Sequence, residues 1–362
     1  MLRLDPKYKK NLLLAGFLIM MFRKLENLHM RKYWIFLVAI FLICPGCQKE
    51  NKNLFSIGLF QVDDAPTLNA VRKGFLSALE EAGLLDGEDI RMVIRNGMGS
   101  IPEVQRIAQE FVSSKVDLIV PLSTPCLQAA LHASSEIPIV FSSIANPFLA
   151  GAGSSVDNHL PNVTGISSRG PIKESLAFIK QVLPGAKRIG TLWTPSELNS
   201  KFYLDLAREG AKEMGLEIIA VAINNKSEVL LAAQVLMNKK IDVIYQISDN
   251  TINASFEAVS RVADENAVPL FGGALFSTSL GACASMGWDF FDMGHKAGKV
   301  AIRVKNGENP ADIPIEYMNK VKLHLNLNAA AKQGVEFSEE ILQQADEILK
   351  IEGKSRKDFA TS

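Results

Sequence analysis

The chain repeats itself. SIGLF at 56–60 returns as RIGTL at 188–192, each a short strand-like run with glycine in third place. Twenty-five residues after Gly58 comes Gly83-Leu84, and twenty-five after Gly190 comes Gly215-Leu216. In both copies the intervening segment reads as a helix ending at a glycine suited to a helix C-terminus. DLIVPLST (117–124) then matches DVIYQISD (242–249), and IPIVF (137–141) matches VPLFG (268–272). Two copies of one unit, in the order strand, helix, strand, helix, strand, helix, strand, predict two similar lobes. Their expected bounds are 54–166 and 167–290.

Strands are expected at 54–60, 90–95, 117–122, 137–143, 188–193, 217–223, 242–247 and 268–272. Between them lie amphipathic segments; in 101–114 the residues Val104, Ile107, Ala108, Phe111 and Val112 keep helical spacing. Near-continuous apolar strands alternating with helices imply parallel sheets covered on both faces, an α/β architecture of two Rossmann-like lobes. Residues 291–335 are expected to return to the first lobe as a helix stopping at Gly307 and a last strand at 320–326, which makes the hinge multi-stranded. The remaining 336–362 read as a C-terminal helix and tail. That helix is expected over 338–349, capped by Ser338, with Glu339 and Glu340 in its first turn.

A length of 362 residues with 48% hydrophobic side chains suffices for two cores. The balance of 39 basic and 39 acidic residues hides an asymmetry. Residues 1–47 hold eight of the basic and two of the acidic groups, leaving 31 basic against 37 acidic in the body. A mildly acidic body without Lys/Arg runs argues against nucleic acid as partner. From Met30 the chain reads MRKYWIFLVAIFLICPGCQKE: two cations, a short apolar stretch, then small residues before Cys47. Residues 30–47 are therefore expected to be a secretory signal, and the cysteine after the small residues resembles a bacterial lipoprotein signal in which Cys47 would be lipidated; an uncleaved anchor helix is the alternative. Residues 1–29 are expected to be an over-extended N-terminus. Cys126 and Cys283 lie far apart and no CxxC occurs in the body beyond Cys47, which leaves no zinc or redox framework there. GxGxxG, Walker A, HExxH and GxSxG are absent, and none of the five histidines pairs with a nucleophile by spacing. Cys126, beside a helix start, is the one residue with scope for activation, against the plain reading of a buried thiol. No enzyme, metal or cofactor is indicated.

Open parallel sheets bind ligands beyond the carboxyl ends of their strands. Those places hold the candidate contacts Gln61, Asp64, Ser123, Thr124 and Asn146 in the first lobe. In the second they hold Asn199, Ser200 and Asp249. Thr124 precedes Pro125 and suits an N-cap, and the free N–H groups of that helix with two hydroxyls would cradle a carboxylate or phosphate. Plain capping explains Thr124 equally well. It also explains Asp249, whose charge otherwise suits an ammonium group. Several aromatics (Trp193, Phe202, Tyr203, Tyr245, Phe148, Phe276, Trp288) fall near these edges, of which one or two are expected to touch an amphipathic ligand.

The runs DAPTLNAVRKGF, LSTPCLQAA, IPIVFSSIANP, NVTGISS, KRIGTLWTPSELNS, SDNT and MGWDFFDMG, in this order, resemble the type I substrate-binding lipoproteins of ABC transporters. Within that family the likeness is to the group that binds tryptophan and other aromatic amino acids, and it covers about 54–335. It implies a type I periplasmic binding protein fold and a monomer that closes two lobes on a small ligand, an amino acid or related solute. It implies further an extracytoplasmic position on a lipid anchor, and an ABC permease with its ATPase as partner. On this resemblance Ser123 and Thr124 would take the ligand carboxylate, and Asp249, Asn199 and Ser200 its amino end. The chain departs from the family at Ala65, where a histidine is common, and at Ala145-Asn146-Pro147, where Thr-Asp-Pro is common. Those changes leave the identity of the solute open. A receptor domain that senses a ligand for a membrane partner would share the same cleft.

Overall fold

The structure, a computed structural model, describes residues 54–349; the expected over-extended segment 1–29, the signal 30–47 with Cys47, and the tail 350–362 lie outside the described residues. The first lobe begins β1 (Phe55–Gln61), α1 (Pro66–Glu81), β2 (Ile90–Asn96), α2 (Ile101–Ser113), β3 (Leu118–Leu122), α3 (Thr124–Ala133), β4 (Ile139–Ile144). A small hairpin, β5 (Gly153–Ser155) and β6 (Asn158–His159), leads to β7 (Val163–Ser167). The second lobe runs α4 (Ile172–Val182), β8 (Arg188–Trp193), α5 (Leu198–Glu213), β9 (Glu217–Ala222), α6 (Val229–Met237), β10 (Val243–Gln246). It continues through α7 (Asn250–Asn253), α8 (Phe256–Glu265), β11 (Leu270–Gly272) and β12 (Ala284–Gly287). The parallel strand orders are β2-β1-β3-β4-β7 and β9-β8-β10-β11-β12, so the repeat in sequence is a repeat in topology. The fold is that of the type I periplasmic binding proteins.

The repeated residues have repeated jobs. A Cβ on Gly58 would lie 2.7 Å from the ring of Phe111 in α2, and one on Gly190 would lie 2.9 Å from Leu236 in α6. In each lobe the bare strand lets the covering helix approach closely. Asp117 and Asp242, which open the matched segments, act as clips. Asp117 Oδ2 accepts from the Ser56 N–H and hydroxyl, both at 2.7 Å. Asp242 Oδ2 accepts from the Lys187 and Arg188 N–H groups, both at 2.8 Å, which holds its carboxyl below the ordinary range. Each clip ties the start of its lobe's central strand to the neighbouring strand.

Beyond β12 the chain exchanges pieces between lobes. α9 (Phe290–Lys305) lies on α1, with Met293, Ala297, Val300 and Val304 in the first-lobe core. The two backbones touch: a Cβ on Gly74 would sit 2.0 Å from Phe291 O, and one on Gly294 1.9 Å from Val71 O. β13 (Glu316–Tyr317) then pairs with β7. The expected return to the first lobe over 291–335 ends there. β14 (Lys322–Asn326) pairs antiparallel with β12 in the second sheet, because Leu323 and Leu325 bury in the second core together with Ala329 and Ala330 of α10 (Leu327–Lys332). The C-terminal helix is also shorter than expected. α11 (Glu339–Gln344) starts at the Ser338 cap, whose hydroxyl accepts from Ile341 N. It stops because Asp346 exchanges two 2.8 Å hydrogen bonds with Leu323, through its carboxylate and its N–H, and draws 347–349 into β15 (Glu347–Leu349) beside β14.

The chain thus crosses between lobes after β7, after β12 and between β13 and β14. Side chains tie the crossings together: Tyr203 donates to Ser168 O at 2.7 Å, Trp288 Nε1 to Arg169 O at 3.0 Å, and Lys322 pairs with Asp289 at 2.8 Å. The α1–α9 contact tolerates nothing larger than glycine. Gly294→Ala should cost about 3 kcal/mol, the upper end of overpacking, since backbone rather than a yielding side chain blocks the methyl. Urea denaturation should show this as a lower midpoint; an unchanged midpoint would show that α9 can lift off α1.

Candidate ligand-binding cleft

In both lobes the strand order turns back beside the central strand, between β1 and β3 and between β8 and β10. Pairing of β8 with β10 lapses after Ile244↔Gly190. The Gln246 amide bridges the gap, accepting from Leu192 N at 3.1 Å and donating to Leu192 O at 3.1 Å. A side chain there takes over from the ladder where the crevice opens.

On the first lobe the edge is strained and unsatisfied. Ser123 has φ +105° and Ser143 φ +61°, both uncommon for a residue with a Cβ. The sequence placed Thr124 as the N-cap of its helix, but Ser123 occupies that position and its side chain makes no capping bond. With φ positive, its hydroxyl does not meet the first-turn N–H groups. Thr124 is the first helical residue. Ser123 Oγ, Thr124 Oγ1 and Ser142 Oγ are buried without hydrogen-bond partners. A buried unpaired polar group costs roughly 1–3 kcal/mol, so three together at one edge point to an absent partner. Cys126 is buried in the first turn of α3, and burial pushes its thiol up to about 12, against activation of the thiol.

The second lobe is wired differently. Asp249 caps α7, accepting from Ile252 N at 2.9 Å, and also accepts from Thr194 N at 2.9 Å and Thr194 Oγ1 at 3.1 Å. Ser200 Oγ accepts from the same Thr194 N–H at 2.9 Å. The sequence did not single out Glu197 as a contact, yet it is central. Its carboxylate accepts from Asn199 Nδ2 at 2.9 Å, from Asn250 N and Nδ2 at 3.2 and 2.6 Å, and from Thr251 N and Oγ1 at 3.0 and 2.6 Å. Asn199 is buried and its Oδ1 has no partner. Among the described residues no Lys, Arg or His forms an ion pair with Glu197 or Asp249. Burial, followed by repulsion from Glu197, pushes Asp249 up to about 7 against the pull of hydrogen bonds from Ser200, Ile252 and Thr194.

The other expected contacts are tied up elsewhere. Gln61 is buried, donating to Asp63 O and Asn69 Oδ1 and accepting from Arg72. Asp64 is exposed and accepts from Asn69 Nδ2 at 2.7 Å. Asn146 Oδ1 caps its own turn at Phe148 N and Leu149 N, both at 3.1 Å. Asp63, which the sequence passed over, is the buried acid of that loop. Its two oxygens lie 3.4 and 3.3 Å from Nζ of Lys226, in the short 3-10 turn Lys226–Glu228 of the second lobe. Ala254, just past α7, packs against the first-lobe core, and α3 touches α5. The lobes are closed on one another. Of the aromatics, Tyr203, Tyr245 and Trp288 are buried in the second core or at the hinge, and Phe276 stacks edge-on against Phe256. Phe202 lies beside Tyr203 and under Arg169, leaving Trp193 and Phe148 half-buried at strand ends of opposite lobes.

This arrangement has relatives. Residues 56–349 match the family described as ABC transporter substrate binding protein. The chain belongs to that family. Its substrate-binding proteins are extracytoplasmic and are not enzymes. The chain is 38% identical over 277 residues to a tyrosine-binding protein of Clostridioides difficile, covering 76% of this chain and 80% of that protein. A Streptococcus pneumonia ABC domain in complex with L-Trp superposes with TM-score 0.78 at 28% identity, over 82% of this chain and all of that one. The ligand-free, open structure of a Clostridium difficile substrate-binding protein with adhesive properties has a TM-score of only 0.61 despite 32% identity, over 82% of this chain and all of that one. The lower match to that open structure, despite its higher identity, agrees with the closed lobes. Among the described residues no group of three or more His, Cys, Asp or Glu could hold a metal, and no helix is long and apolar enough to cross a membrane.

The Asp63–Lys226 pair spans the two lobes, so opening them would break it. A pair with one half-exposed partner contributes up to about 1 kcal/mol, screened by salt. Lys226→Gln should weaken ligand binding roughly two- to fivefold at low salt, with the difference vanishing near 1 M. Titrations at two salt concentrations measure this; equal affinities at low salt would remove the pair from the closing step.

Proposed function

We propose that the protein is the extracytoplasmic solute receptor of an ABC importer, that its ligand is an α-amino acid with an aromatic side chain, and that a permease with its ATPase takes the ligand onward. The observation that carries the ligand class is the opposite polarity of the two edges. Three unpaired hydroxyls and the start of α3 suit a carboxylate. An unpaired amide oxygen beside two buried carboxylates without a cation suits an ammonium group. A zwitterion spanning the gap would satisfy both and favour closure. The named ligands of two relatives, tyrosine and L-Trp, support the aromatic side chain, and Trp193 and Phe148 offer it faces. On this reading Ser123 and Thr124 bind the carboxylate, while Asn199, with the charge of Asp249 behind it, binds the amino end. Ser200 positions Thr194 and Asp249, whereas Gln61, Asp64 and Asn146 shape the loops of the cleft rather than touch the solute. Lipidation at Cys47 would hold the body at the membrane; Cys47→Ala should release it from the membrane fraction, and retention of that variant would favour an uncleaved anchor.

A calorimetric screen of amino acids tests the ligand class, and Asp249→Asn tests the charge. Asparagine caps a helix about as well as aspartate, but its NH2 would face the Thr194 N–H that Asp249 Oδ2 accepts from, so the free protein should also lose some stability, which melting curves measure separately. Affinity should fall on the order of ten- to a hundredfold if the charge attracts the ammonium, and stay level if Asp249 only caps. Thr124→Val should weaken the carboxylate end similarly.

The raised pKa adds a pH signature. Asp249 keeps a proton in the free folded protein that the unfolded chain has lost between about pH 4 and 7, so its contribution to stability declines as pH rises through that window. A bound ammonium favours the ionised form and expels that proton. Affinity should therefore climb with pH up to about 7 and level off above. At pH 6, titrations in buffers of different ionisation enthalpy should reveal proton release; identical heats would contradict the pairing.

A further inference from the structure

We infer that Glu197 is a specificity-determining positioning residue: by holding the Asn199 amide with its nitrogen inward, it makes the second lobe accept a protonated amine and discriminate against ligands that lack one. This rests on the amino-acid reading above and adds a residue and a selection rule to it.

The argument begins with what a carboxylate can do. Ionised, it only accepts, so any amide in contact with it must present its NH2 group. Asn199 Nδ2 lies 2.9 Å from Glu197 Oε2, which fixes the amide by chemistry and leaves Oδ1 as its outward atom. That oxygen is buried, with the residue 7% exposed, and has no partner. It can receive a donor and nothing else. Glu197 itself is not open to the ligand in the same way. Five donors, from Asn199, Asn250 and Thr251, already occupy its two oxygens.

Glu197 stands at the N-cap position of α5 yet makes no side-chain cap there. Its side chain instead reaches the first residues of α7, beyond the neighbouring strand β10, so it locks the two segments of the second-lobe edge in one register. With Asp249 it also leaves that edge with buried negative charge and no cationic side chain. Orientation of Asn199 and sign of the local field come from the same residue. A des-amino ligand would leave Asn199 Oδ1 unpaired and the charge uncompensated, a penalty that weighs on selectivity more than on the carboxylate end.

The test compares ligands rather than raw affinity. L-tryptophan and L-tyrosine are titrated against their des-amino counterparts, the 3-arylpropionates, into wild type, Glu197→Gln and Asn199→Ala. Wild type should prefer the amino acid by on the order of ten- to a hundredfold. Glu197→Gln removes the charge and leaves one acceptor oxygen for donors that two oxygens now share, so the hold on the Asn199 amide weakens and the preference should shrink at least tenfold, chiefly through weaker amino-acid binding. Asn199→Ala should lose the same preference while its melting temperature stays within a few degrees of wild type. An unchanged preference in a folded Glu197→Gln protein overturns the inference and leaves Glu197 as a loop staple. If that variant does not fold, an unchanged preference in Asn199→Ala overturns it instead. Wild type that binds both ligand types equally also overturns it, with the carboxylate cradle intact. Wild type that binds neither overturns the amino-acid reading and the inference with it.

Discussion

A parallel sheet whose strand order reverses cannot close over its own centre. The crossovers leave to opposite faces and a crevice remains at the carboxyl edge. Here that constraint is applied twice, and the two crevices meet. The orders β2-β1-β3-β4-β7 and β9-β8-β10-β11-β12 put Ser123 and Thr124 after one switch strand and Asp249 after the other. The clips at Asp117 and Asp242 and the bare strands at Gly58 and Gly190 keep each sheet in register from below. What happens at the upper edge is then a matter of a few side chains on fixed backbone.

Those side chains divide the work unevenly. The first lobe tolerates unpaired hydroxyls and a serine at φ +105°, a cost of order 1–3 kcal/mol for each such feature. The second-lobe edge ties up most of its polar groups through Glu197 and Asp249 and leaves the Asn199 amide oxygen open. Uncompensated charge on that side is the larger burden, because buried carboxylates without a cation stay ionised only against desolvation. On the proposed reading, closure with a zwitterion between the edges relieves both sides at once. Empty closure relieves neither. The Asp63–Lys226 pair at the rim therefore contributes modestly, favouring a state that the interior already decides.

Much of this could be read from residues alone. Matching glycines, matching aspartates and matching apolar runs gave both sheets, because strand burial and helix spacing leave plain periodic marks. Less periodic features escaped. The short strands β12, β13 and β15 are two to four residues long, too brief to show alternation, and β14 changed lobes through the burial of Leu323 and Leu325, which sequence does not reveal. At the cleft, strand ends pointed to the right loops but not to the right atoms. Asp64 and Asp63 are adjacent acids, and only burial separates the exposed one from the one that reaches Lys226. Glu197 looked like part of a polar loop; its five donors come from residues up to fifty-four positions away.

The docking of α9 on α1 has a temporal consequence. The groove along Gly74 is filled by a helix made more than two hundred residues later. At roughly 5–20 residues per second, a ribosome needs about 10–40 s to supply it. Throughout that interval Val71 and Phe75 belong to a half-built lobe with an apolar trough open to water and to neighbours. The second lobe waits longer still, until Leu325 and Ile341 emerge near the end of the chain. A chain built of two like units thus cannot finish either half early, and its nascent form exposes apolar surface until late in synthesis.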